Sequence, residues 1–209
     1  MRVYISLFIA FLTLGVFPLM LQAQSDIQPE EKQIQAALSP LPEPMQEGAG
    51  VLGYNRDGEL ITLRESSNDL ICLADQPEDE RFHVACYHKD LEPFMKRGRE
   101  LRAEGKSTAE VKEIRRREIE SGKLPMPEKP MSLYSLTGEP DAYDYSTNTL
   151  RQARPLYVVY IPYATESTTG LASSPVSRGA PWLMDPGTPW AHIMVGTGRE
   201  VGENTEESP

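Results

Sequence analysis

Cys72 and Cys86 are the only cysteines in the chain. Joined, they fix which two segments lie side by side; unjoined, they fix nothing. The N-terminus argues for joining. Residues 1–23, MRVYISLFIAFLTLGVFPLMLQA, carry one early positive charge, Arg2, and then an almost wholly apolar run that ends at Leu21-Gln22-Ala23. That is the layout of a secretory signal peptide cleaved after Ala23. An uncleaved anchor is the rival, because the run approaches the ~20 residues that span a bilayer. Pro18 and the small-residue site favour removal. No cysteine stands near the site for a bacterial-type lipid anchor, and no later apolar run is long enough to span. The expected location is secreted or periplasmic, where an isolated cysteine pair reads as a disulfide. It would close a loop of about 15 residues, for which chain entropy gives ~3 kcal/mol.

A metal site is the alternative reading, with Cys72, His83, Cys86 and His88 as ligands. The segment RFHVACYH at 81–88 reads as a strand, and strand side chains alternate faces. Cys86 and His88 would share one face and His83 the other. The reading is therefore a disulfide, with no metal and no cofactor.

Beyond Ala23 the chain is long enough for one domain with its own core. Net charge is −10, with 31 acidic against 21 basic side chains, which disfavours nucleic acid and anionic lipid as partners. Residues 24–47 are polar and proline-rich and read as a linker or loosely docked arm. A short helix, EEKQIQAAL at 30–38, stops before Pro40, Pro42 and Pro44. The body is expected over 48–196. Strands are expected at 49–55 and 58–65, joined through Asp57-Gly58, and then at 70–74 and 81–88.

A helical hairpin is expected over 89–122. Its second helix opens on the capping box Ser107-Thr108-Ala109-Glu110 and stops at Ser121-Gly122. Its arginines and lysines interleave with glutamates and read as a solvated face rather than a docking patch. Strands return at 132–138, 154–163 and 191–195. The second of these, RPLYVVYIPY, is continuous enough to suggest a central position. The acidic residues 197–209 read as a disordered tail. The fold class is thus α+β: mainly antiparallel sheet, a mid-chain helical hairpin and one disulfide.

The segments ELITLRESSNDLICLADQPEDERFHVACYHKDLEPFMKR and RGAPWLMDPGTPWAHIMV resemble the two halves of an uncharacterised family of secreted bacterial proteins. Members pair two cysteines across a proline-rich acidic loop and repeat a Pro-Gly-Thr-Pro-[Tyr/Trp]-Ala-His motif. The match is close at Pro186-Gly187-Thr188-Pro189-Trp190-Ala191-His192. It departs at Leu70 and Ile71, where the family reads Trp-Thr before the cysteine. The resemblance implies secretion, paired cysteines and a recurring histidine. It implies no reaction.

Common hydrolase, zinc-protease, phosphate-loop and calcium-loop motifs are missing from the sequence. The remaining catalytic candidate is His192, with Asp185 nearby in sequence and Tyr160 or Tyr163 as spatial partners. A histidine oriented by a carboxylate can act as a general base. In a regular strand, however, His192 shares a face with Trp190 and Met194, which reads as core. Two functions stay open. One is a secreted binding or interaction module whose aromatics, Trp182, Trp190, Tyr143 and Tyr145, meet a small molecule, a glycan or a protein. The other is a small secreted hydrolase using His192 with a carboxylate.

Overall fold

A computed structural model describes residues 27–198 and 200–202. The expected signal peptide, 1–23, lies outside the described residues, as does most of the expected tail. The elements run α1 (Glu30–Leu38), α2 (Glu43–Gln46), β1 (Gly50–Tyr54), β2 (Leu60–Arg64), β3 (Leu70–Leu73), β4 (Phe82–His88), α3 (Glu92–Ala103), α4 (Thr108–Glu120), β5 (Met131–Gly138), β6 (Tyr143–Asp144), β7 (Thr149–Leu150), β8 (Arg154–Tyr160), α5 (Glu166–Thr169), β9 (Trp182–Met184) and β10 (His192–Gly196). Eight strands form one sheet in the order β2-β1-β3-β4-β5-β8-β10-β9, while β6 and β7 pair separately. Every pairing in the large sheet is antiparallel except β1 with β3. The class is α+β, as the sequence implies.

The parallel pair arises because β2 returns on the outer side of β1 and the chain then passes beneath the start of β1 to reach β3. Ser67 and Asn68 donate to the Gly48 carbonyl on the way. A Cβ at Gly48 would lie 2.8 Å from the Asn68 Cβ, and one at Gly50 would lie 2.9 Å from the Ser66 Cβ. Glycine is required at both positions by this close passage rather than by its torsions.

Cys72 and Cys86 face each other across the β3–β4 pair and are joined. Both are fully buried beneath α1. The Ala37 carbonyl oxygen lies 3.2 Å from the Cys86 sulfur. A disulfide sulfur carries no proton, so this is a packing approach, and it shows how tightly α1 sits on the bridge.

Of the segment 24–47, the described residues 27–47 are not a loose arm. Ala36 and Ala37 are fully buried and Leu38 is nearly so, packed on the face that carries Val51, Cys72, Phe82 and Val84. Two alanines in succession leave the helix backbone room to approach the sheet. Gln33 completes the contact, because its side-chain amide stands in for a strand peptide. Its oxygen accepts from the Tyr54 N–H and its NH2 donates to the Tyr54 carbonyl, both at 2.8 Å, and also to the Gln28 carbonyl at 2.7 Å.

The opposite face carries α3 and α4. Phe94 and Leu91 pack there on Tyr87, Val158, Tyr160 and Trp190. Ser107 and Glu110 form the expected capping box at the start of α4. The expected solvated basic face is corrected in part. Arg97 pairs with Glu118 through two nitrogens at 2.9 Å, and Arg115 lies 3.8 Å over the Phe94 ring. Glu113–Arg117 is an exposed i,i+4 pair of the expected kind.

Two further expectations change. The run 154–163 supplies an interior strand, but β4 and β5 hold the middle of the sheet. The start of the tail is not free either: Val201 exchanges two backbone hydrogen bonds with Ala153.

Candidate functional site

Asp185-Pro186-Gly187-Thr188 forms a tight turn between β9 and β10. Gly187 takes φ of 71°, and the Thr188 N–H and hydroxyl both return to the Asp185 carbonyl. Proline followed by a positive-φ glycine suits a type II turn. The turn sends Trp190 into the core, where it stacks on Phe94 with ring centroids 5.9 Å apart. The Asp185 carboxylate accepts from Lys112 Nζ at 2.9 and 3.0 Å and from Trp190 Nε1 at 2.9 Å. Arg116 covers the Trp190 ring. Lys112, Arg115 and Arg116 on α4 therefore clamp the turn. Burial would raise the Asp185 carboxyl, but the bonds from Lys112 and Trp190 outweigh it and hold the group below its ordinary value.

His192 sits inside this clamp, 8% exposed. Its Nδ1 lies 2.7 Å from the Trp190 carbonyl, so Nδ1 carries the proton and donates. Its ring lies 5.0 Å from that of Tyr160, centroid to centroid. Burial lowers the His192 pKa, against the pull of the Trp190 carbonyl and the Asp185 charge. The structure does not form the expected His192–Asp185 pair. A backbone carbonyl takes the place a carboxylate would need, and Asp185 is committed to Lys112 and Trp190. Tyr163 stands exposed and outside this cluster. The expected aromatic ligand surface also divides. Trp190 is core, Tyr143 is buried and stacked on Phe82, and Trp182 is half-buried on the edge strand.

Tyr145 is the exception. It meets Tyr143 edge-on and lines a cleft of about 190 Å³ at the N-terminal end of α1. The facing wall is the acidic loop after β3: Asp75, Pro77, Glu78 and Asp79, with Arg81 following. Gln28 and Gln33 form the third side, so the docking of α1 builds this cleft.

Asp75 is the half-buried group at its base. Its Oδ1 accepts the His83 N–H at 2.7 Å, and the Tyr145 hydroxyl donates to the same carboxyl. Asp75 makes no ion pair among the described residues. Burial therefore pushes its pKa up to about 6, and the charge of Asp79 adds to the effect. Burial also raises the Tyr145 hydroxyl, with Asp75 adding to it.

A second cleft, of about 280 Å³, lies between the end of β5 and the residues around Glu200. There Arg151 bonds Asp144 at 2.6 Å and lies near Asp141, and Gln152 bonds Glu200.

Sequence reasoning named Tyr145 but not Asp75, which reads as one acid among several in DQPEDE. No group of residues able to hold a metal ion occurs among the described residues. Compared with known protein families, with curated proteins and with solved structures, the chain matches none.

Proposed function

We propose that this chain is a secreted or periplasmic binding module and that its ligand seat is the Asp75–Tyr145 cleft. The observation that carries the reading is a half-buried carboxyl at the base of an open cleft, held by two neutral donors and by no cation. Ligand pockets characteristically combine apolar walls with a few convergent polar groups and a titrating group displaced from its ordinary value. Secretion is supported by the Cys72–Cys86 bridge and by the leader pattern of the sequence. No described helix is long and apolar enough to cross a membrane.

We also assign the chain to the secreted family it resembles through its Pro-Gly-Thr-Pro-Trp-Ala-His motif. The assignment is supported by the distinct job each motif residue has here: the turn at Pro186-Gly187, its closure by Thr188, the Trp190 anchor and the His192 bond. Residues 89–122 act in this reading as one helical hairpin that braces the motif.

The hydrolase reading at His192 has less support, because no carboxylate orients the ring. A thermal-shift screen of the mature protein against small metabolites and sugars tests the choice. A native-state ligand raises apparent stability by mass action. Hits lost in Tyr145→Ala and kept in His192→Ala support the cleft. The reverse pattern overturns it.

A further inference from the structure

We propose that the ligand of this cleft is an organic cation, a primary ammonium or guanidinium group on a short apolar stem. The inference rests on the cleft being the ligand seat and names what it takes. The wall presents three carboxylates, Asp75, Glu78 and Asp79, against one cation, Arg81. Arg81 forms no ion pair with any of them among the described residues.

Asp75 is faced by Asp79 from its own loop, by the His83 amide of β4 and by the Tyr145 hydroxyl. Tyr54 of β1 lies close enough to feel its charge. None of these groups brings a positive charge to the carboxyl. A carboxylate withdrawn from water without a counter-charge is costly, and a bound cation supplies that counter-charge. Pro77, Pro140 and the Tyr145 ring offer apolar surface for a stem, and a tyrosine face attracts a cation. An anion would meet three like charges, and a neutral sugar would leave the Asp75 charge unanswered. The strongly negative net charge of the chain, −10, also draws cations toward it.

The test uses three probes of one size, n-butylammonium, n-butanol and butyrate, added to the full mature protein at pH 7.5. Amide NMR shifts of His83 and Tyr145 are the readout, because the His83 N–H bonds Asp75 directly. Butylammonium should move both amides saturably, and the other two probes should not. Asp75→Asn should weaken the response at least tenfold while leaving the amide spectrum of the rest of the protein folded. At pH 5 the wild-type response should weaken about tenfold, because an acid titrating near 6 is then about one-tenth ionised.

Equal or stronger binding of butanol or butyrate at these amides overturns the cation and keeps the cleft. Undiminished butylammonium binding by Asp75→Asn overturns the role of the carboxyl. Silence from all three probes overturns the cation class. The cleft reading falls separately, if the metabolite screen also finds nothing that Tyr145→Ala abolishes.

Discussion

Replacing Asp75 by asparagine should make the protein more stable at neutral pH, although it alters a hydrogen-bonded side chain at the base of the cleft. The side-chain oxygen of the asparagine can still accept the His83 N–H, and its NH2 can meet the Tyr145 oxygen, so the local bonds survive. What changes is the charge. The Asp75 carboxyl titrates at about 6 in the fold against an ordinary 3.8. A group whose pKa is raised by folding stabilises fully below its unfolded value and loses that contribution as pH rises through its folded value. At 1.36 kcal/mol per unit the gap of about two units gives a ceiling near 3 kcal/mol. Solvent reaches the open cleft and screens the charge, so about 1–2 kcal/mol is the expected gain.

Urea denaturation at pH 4, 5, 6 and 7.5 reads this out. The variant and the wild type should differ little at pH 4, diverge between pH 4 and 6, and hold a constant difference above pH 7. Asp75→Ala is the control: it also removes the charge but strands the His83 N–H, so it should be about 1–3 kcal/mol less stable than Asp75→Asn. A difference between Asp75→Asn and wild type that ignores pH, or an asparagine variant less stable at pH 7.5, would refute the reasoning.

Gln33→Ala removes three partly buried hydrogen bonds and leaves the Tyr54 peptide groups unanswered; urea titration should show a loss of about 2–4 kcal/mol. A loss below about half a kcal/mol would mean that α1 is a loose arm after all. The double variant Cys72→Ala/Cys86→Ala should lose about 3 kcal/mol, and mass spectrometry of the unreduced wild type should find no free thiol. His192→Phe should cost about 1 kcal/mol at pH 8, for its bond to the Trp190 carbonyl. The His192 pKa is lowered from 6.5 by burial. The contribution of His192 is therefore full above about 6.5 and declines as pH falls toward the folded value. The phenylalanine variant should lack that decline in parallel denaturation curves.

The elements legible from the sequence are those whose cause is local. A continuous apolar run placed β8, Asp57-Gly58 placed the first hairpin, and Ser107 and Glu110 opened α4. The segment 24–47 misled because its composition is polar. Two alanines weigh little in a hydrophobic pattern, yet their small size is what lets α1 sit on the disulfide. The lysine and arginines of α4 misled for a related reason. Interleaved charges ordinarily face water, and nothing within α4 records that Lys112 finds a carboxylate 73 residues away.

The sequence by itself determined the strands of the large sheet except β9, the capping box of α4 and the acidic balance, because each depends on neighbours within a few residues. The pairing of the two cysteines followed from an expected compartment and their isolation in the chain. Only the tertiary structure decided that Asp185 serves Lys112 and Trp190 instead of His192. It alone set Asp75 against Tyr145 with no cation in ion-pair contact with the carboxyl among the described residues. Burial and hydrogen bonding are settled between segments distant in the chain, and a carboxylate acquires its character from what surrounds it, not from the letters on either side.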